Sequence, residues 1–273
     1  MKLSLYRHLW GVDDPWETVF PKIKELGYSG IESHLSQDRD QRRLLQDLMK
    51  QHDFRFIAMI FTEGKSVDEH IASFEKQIVE TIGFKPVLIN CHSGADAWTK
   101  QESNQFFTEV LKIESRHGIP VAHETHRGRI LYNPWTTYGL LNQFLELKLC
   151  SDFSHWVCVC ERLIDDQIEI IEKCAERTIH LHARVGYNEG PQVPDPRAPE
   201  YQTELETHEH WWDIIWEAQN KQGVKESTLT PEFGPPPYLQ TLPRSQDPVA
   251  DLWDICNWQA RRQAERFSSQ YQH

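Results

Sequence analysis

Four apolar runs in this chain end abruptly in side chains that can hold or move protons. The run at 119–122 meets His123, Glu124, Thr125, His126, Arg127 and Arg129, and the run at 147–150 meets Ser151, Asp152, Phe153, Ser154 and His155. TIHLHAR delivers His180, His182 and Arg184, and STLTPEFG delivers Glu232. Such groups cannot stay in a dry core, so each run must emerge there into a polar site or into water. Brought together, carboxylates and imidazoles can act as general acids and bases or hold a divalent cation. Taken singly, each is a charged residue where a strand meets solvent. Their repetition is what points to chemistry.

The elements that must position these groups follow a regular alternation. Strand-like runs at 3–7, 29–32, 54–61, 87–90, 119–122, 148–152, 178–182 and 227–232 alternate with helical patterns at 14–26, 41–51, 67–82, 100–116, 133–145, 163–174, 204–219 and 248–267. Asp14-Pro15 reads as a capped helix start, and His117-Gly118 as a helix stop. Eight strands and eight helices predict an α/β fold, a (β/α)8 TIM barrel forming a single domain over 1–273. An open doubly wound sheet is the competitor, but the chain has no GxGxxG or GxxxxGK[ST] phosphate loop. Residues 185–201 form a long polar loop over one face, readable as a lid to which Arg197 contributes or as a rigid structural loop.

Composition narrows the function. With 29 basic and 41 acidic residues the formal charge is -12, which repels polyphosphate and anionic lipid, so no nucleic acid and no membrane partner is expected. No apolar run approaches a membrane span and the amino terminus lacks the apolar core of a signal peptide, which predicts a cytoplasmic protein. The six cysteines include no CxxC pair and read as reduced, mostly buried thiols. A thiolate nucleophile at Cys91 or Cys160 is the lesser alternative.

In a barrel the loops after the strands share one rim, so Glu124, Asp152, His182 and Glu232 would meet from strands five to eight. Three carboxylates facing one another repel and raise one another's pKa unless a cation lies between them. One imidazole and three carboxylates suit one divalent metal ion, Mn²⁺ or Mg²⁺ before Co²⁺ or Zn²⁺. Trp10, Trp98 and Trp156 follow strands one, four and six, where an indole could stack on a sugar or simply pack at the rim. Trp211, Trp212 and Trp216 read as core.

Glu124 in HETH, Asp152 with His155 in DFSH, His182 in HLHAR and Glu232 in TPEFG together resemble the xylose isomerase-like barrel superfamily of sugar isomerases and epimerases, over nearly the whole chain. The resemblance implies a metal on Glu124, Asp152, His182 and Glu232, with Glu124 and Glu232 doubling as catalytic acid and base. Both His180 and His182 point to one side of their strand, and His182 is chosen as the ligand because it matches the family's position. His155 and Arg184 are expected on substrate oxygens, with His92, His126, His180 and Trp10 as further substrate-binding candidates. The implied activity is isomerisation or epimerisation of a carbohydrate, unphosphorylated or a sugar acid, through an enediolate, in an enzyme of carbohydrate metabolism that is a homodimer. Three alternatives stand beside it: a metal-dependent lyase acting by β-elimination, an endonuclease IV-like nuclease, and a non-catalytic sugar-binding barrel. The nuclease departs most from the sequence, since Asp195-Pro196-Arg197 has arginine where that family's zinc-binding DxH pair has histidine.

Overall fold

The computed structural model describes residues 1–271. Eight parallel strands close into a barrel, in sequence order around the ring: β1 Lys2–His8, β2 Gly30–His34, β3 Arg55–Phe61, β4 Leu88–His92, β5 Val121–Glu124, β6 Leu149–Ser151, β7 Thr178–His182 and β8 Glu226–Thr230. This is the (β/α)8 barrel that the alternation predicts. Around it lie α1 Trp16–Glu25, α2 Arg39–Gln51, α3 Val67–Ile82, α4 Lys100–His117, α5 Pro134–Gln143, α6 Ser154–Cys160, α7 Ile168–Ala175, α8 Gln202–Lys221 and α9 Leu252–Tyr271. No helix among the described residues is long and apolar enough to cross a membrane.

Local chemistry sets the helix ends. Ser66 caps α3 by accepting from the Glu69 N–H, and Thr99 with Glu102 closes a capping box on α4. The same helix ends at Gly118 with φ 66°, a left-handed conformation that glycine adopts without steric cost. α1 begins one residue later than expected, because Pro15 itself occupies the cap position and Asp14 makes no capping bond.

One helix is absent from the sequence pattern. Residues Ser154–Cys160 form α6, and the helix expected over 163–174 divides into a 3-10 turn, Asp165–Gln167, and α7. Seven residues with two valines are too few to show a helical period, and Asp152 starts the turn locally by accepting from the Ser154 N–H at 3.1 Å.

Two apolar layers hold the barrel. The larger lies between the outer strand faces and the helices and includes Trp156, Trp211, Trp212 and Trp216, all fully buried. The smaller fills the bottom of the barrel with Tyr6, Ile57, Leu88, Ala122 and Cys150. Above this plug the inward positions turn polar, since side chains two residues apart on a strand share a face. Glu32, Asn90, Glu124, Asp152, His180 and His182 are all fully buried there.

Candidate active site

The four strand-end groups converge. Ligand-capable atoms of Glu124, Asp152, His182 and Glu232 all lie within 4.8 Å of one another, and all four residues are buried. Glu124 is the last residue of β5, Asp152 follows β6, His182 ends β7 and Glu232 stands two residues beyond β8.

His182 shows how the group is held. Its Nε2 lies 2.9 Å from Glu32 Oε1, while Nδ1 faces the carboxylates, 3.0 Å from Glu232 Oε2 and 3.6 Å from Glu124 Oε2, without hydrogen-bond geometry to either. An Nε2–H that donates to Glu32 leaves the Nδ1 lone pair directed into the quartet, as a metal-ligating imidazole requires. Glu124 is aimed from the other side, where Asn90 Nδ2 donates to Oε2 at 2.8 Å and His92 Nε2 lies 2.9 Å from the same atom. Its Oε1 is buried with no hydrogen-bond partner. An orphaned carboxylate oxygen and an orphaned imidazole nitrogen, within a set of three carboxylates, fit a divalent cation.

Arg184 lies beside the quartet. It bonds Asp152 through Nε (3.1 Å) and Nη2, and Nη2 also stands 2.9 Å from His155 Nε2 and 3.0 Å from Glu232 Oε2. His155, in the first turn of α6, packs its ring 3.9 Å from that of His126, which is 4.3 Å from His92. Burial holds His126 and His155 below the ordinary histidine range, so both are neutral at pH 7. Burial would raise Glu124, but His92 and His182 outweigh it and keep the carboxyl well below its usual range. Asp152 goes the other way, because burial exceeds the pull of Arg184. Buried thiols are pushed up, Cys91 to about 12, which leaves no thiolate there near neutrality.

Above the quartet opens a cavity of about 530 Å³ lined by Trp10, His34, Met59, Phe61, His92, Glu124, His126, Arg129, Arg184, Glu232 and Tyr238. Trp10 reaches it because Gly234 has no side chain: a Cβ there would lie 2.2 Å from the indole Cη2. Tyr238 meets Trp10 edge-on at 5.0 Å and lies 5.0 Å from the Arg184 guanidinium.

Not every candidate reaches this cavity. His180 shares the inner face with His182, but its nitrogens are taken by Thr228 (2.8 Å) and Glu32 (3.1 Å) in the layer below. Trp98 packs on His70 and Phe106, and Trp156 donates to the Leu131 carbonyl. Arg197 does not line the cavity: its guanidinium is held by Asp195 and by Asp254 of α9. The 185–201 loop is instead riveted at Gln192, which exchanges buried hydrogen bonds with the Gly234 backbone at 2.7 and 3.1 Å.

No protein-family model matches the chain, and no curated protein matches it by sequence. Solved structures do share its fold. The probable 3-DHS dehydratase AsbF of Bacillus anthracis is 15% identical over 97% of this chain and 100% of that one, with a TM-score of 0.63. An AP endonuclease, family 2, of Brucella melitensis is 14% identical over 95% and 98%, TM-score 0.62. The 3-keto-D-glucoside 4-epimerase YcjR of E. coli is 10% identical over 96% and 98%, TM-score 0.59. At these identities the likeness is one of fold, the closed (β/α)8 barrel described above.

Proposed function

We propose that this chain is a divalent-metal-dependent enzyme that moves a proton next to the carbonyl of a carbohydrate, as an isomerase or epimerase. One observation carries the reading: three buried carboxylates and an imidazole within 4.8 Å, with Glu124 Oε1 and His182 Nδ1 left without partners, at the floor of a cavity. A divalent cation on Glu124, Asp152, His182 and Glu232, Mn²⁺ or Mg²⁺ by the oxygen-rich donor set, would supply Lewis-acid polarisation of a carbonyl and its neighbouring hydroxyl.

The residues divide the remaining work. Glu124 and Glu232 line the cavity from staves three apart, so one can take the proton from the carbon beside the carbonyl while the other returns it. Return to the opposite face of the same carbon epimerises; return to the neighbouring carbon, with the hydroxyl proton passing to the first oxygen, converts aldose and ketose. Arg184 lines the cavity with its Nη1 buried and without a partner, so it can hold a substrate oxygen, whereas His155, whose Nδ1 is also unpartnered, does not line the cavity and packs against the ring of His126. Trp10, which lines the cavity, offers an aromatic surface to the sugar.

A metal-dependent lyase is the second reading, since the same base can precede loss of a β-hydroxyl, and AsbF, named a dehydratase, shares the fold. The nuclease is disfavoured by the charge of -12 and by the engagement of Arg197 with Asp195 and Asp254.

The test is metal content before and after reloading with Mn²⁺, followed by incubation with ketoses in D₂O. About one ion per chain and deuterium incorporated beside the carbonyl is the expected result. Release of water with formation of an unsaturated product would establish the lyase. Failure to bind metal under any loading would end the enzyme reading and leave a binding barrel.

A further inference from the structure

The cavity is lopsided. Its β5–β8 side carries Glu124, Glu232 and Arg184, whereas the facing wall is Trp10, Met59 and Phe61 with a single strong cation, Arg129. Arg129 leaves the chain after β5, yet its guanidinium reaches back over β3 and β4: Nη1 donates to the carbonyls of Thr62 at 2.9 Å and Gly94 at 3.1 Å. Both Nη1 hydrogens are therefore spent on backbone. Those two bonds are the only ones its side chain makes among the described residues, so the Nε–Nη2 edge is left open, and no carboxylate among them lies within 4.0 Å of the guanidinium.

Arg184, by contrast, is matched by Asp152 and Glu232. With a divalent cation in the quartet, its three carboxylates are balanced by that cation and Arg184 together, and Arg129, on which Glu124 and Asp96 act only at longer range, remains the cavity's guanidinium without a direct ion pair. An arginine fixed through one nitrogen loses little freedom on binding, and its open edge matches the two oxygens of a carboxylate.

We infer that the Nε–Nη2 edge of Arg129 is a carboxylate-binding subsite, and that the substrate is a sugar acid or hydroxy-keto acid. Its carboxylate lies on the β3–β4 side while its reacting carbons face Glu124 and Glu232. This rests on the reading of the cavity as the substrate site, and it adds the substrate's charge. A cavity of about 530 Å³ is within the range of small-ligand pockets.

Three probes on one carbon skeleton test it: D-glucuronate, D-glucose and D-glucose 6-phosphate, titrated by ligand-observed NMR against the Mg²⁺-loaded protein and its Arg129→Gln and Arg129→Lys variants. The expected result is binding of glucuronate about tenfold or more tighter than glucose, as one charge-assisted pair provides. The preference should vanish in Arg129→Gln and fall in Arg129→Lys, which keeps the charge without the fork. A merely structural arginine would weaken all three ligands together and leave their ratio unchanged, which overturns the assignment. No preference for glucuronate in the unmodified protein, or tighter binding of the phosphate than of the carboxylate, also overturns it. Selectivity for the acid without C–H exchange in D₂O would sink the isomerase reading alone; exchange without selectivity would sink this one alone.

Discussion

The two ends of the barrel treat their carboxylates in opposite ways. At the bottom, where the strands begin, Glu226 is gripped by Arg55 through two bonds of 2.8 and 2.5 Å and by the Ser4 hydroxyl, so that both its oxygens are satisfied. At the top, Glu124, Asp152 and Glu232 crowd one another around His182, and Glu124 Oε1 has no partner at all. The bottom is built as a finished interaction and the top as an unfinished one. Stability comes from satisfied pairs, whereas the top, although Arg184 pairs with Asp152 and Glu232, leaves Glu124 Oε1 and His182 Nδ1 open, as a site that must bind something does at a cost to the fold.

The sharpest way to break this contrast is Glu232→Gln. If Glu232 is one of the acid–base pair, C–H exchange should fall by about 10³-fold, within the range for loss of a positioned acid or base. The metal-free protein should keep its thermal midpoint, because the quartet is not what holds the barrel together. A variant that unfolds while the wild-type protein shows no exchange would make the top a structural network like the bottom.

A smaller effect is expected one layer down. Glu32 accepts from His182 Nε2 and also meets His180, Asn90 and Thr230. Burial alone would raise this carboxyl, but His182 and His180 outweigh it and hold it well below the usual range. Removing the charge with Glu32→Gln should weaken metal binding about 10–100-fold, as loss of a carboxylate behind a ligating histidine does. Equal Mn²⁺ affinity in both proteins, by calorimetry, would reduce Glu32 to a core residue.

Glu32 also marks the limit of what the sequence carries. Glu124, Asp152, His182 and Glu232 were legible because ionisable groups close apolar runs at four successive strand ends, a repetition no single one of them carries, and the choice of His182 over His180 came from the family resemblance. Glu32 likewise ends the expected run at 29–32, but its partners on β4, β7 and β8 lie far along the chain, with His182 150 residues away. Nothing local separates it from a carboxylate reaching solvent. Arg197 shows the complementary limit: the sequence leaves open whether it serves a lid or a rigid loop, because its partner Asp254 is 57 residues distant. The barrel itself was fully legible from periodicity, except for α6, which is too short to have any.

The bottom of the barrel gives the smallest effect and the cleanest control. Hydrogen bonding from Arg55 holds Glu226 down to about 2 from an ordinary 4.5, with burial opposing and Ser4 adding to the pull. A carboxyl depressed by folding contributes stability that is complete above its unfolded pKa and is lost as pH falls through its folded one. Glu226→Gln should therefore cost about 1–2 kcal/mol near neutrality, a value reduced by solvent screening of a pair that is one-third exposed. In urea titrations the difference between the two proteins should hold above pH 4.5 and close as pH falls towards 2. Metal affinity should not change, since Glu226 opens β8 and Glu232 lies beyond its other end. If Mn²⁺ binding weakened with Glu226→Gln, the two ends would be coupled through the strand, and a division into a finished bottom and an unfinished top would no longer describe this barrel.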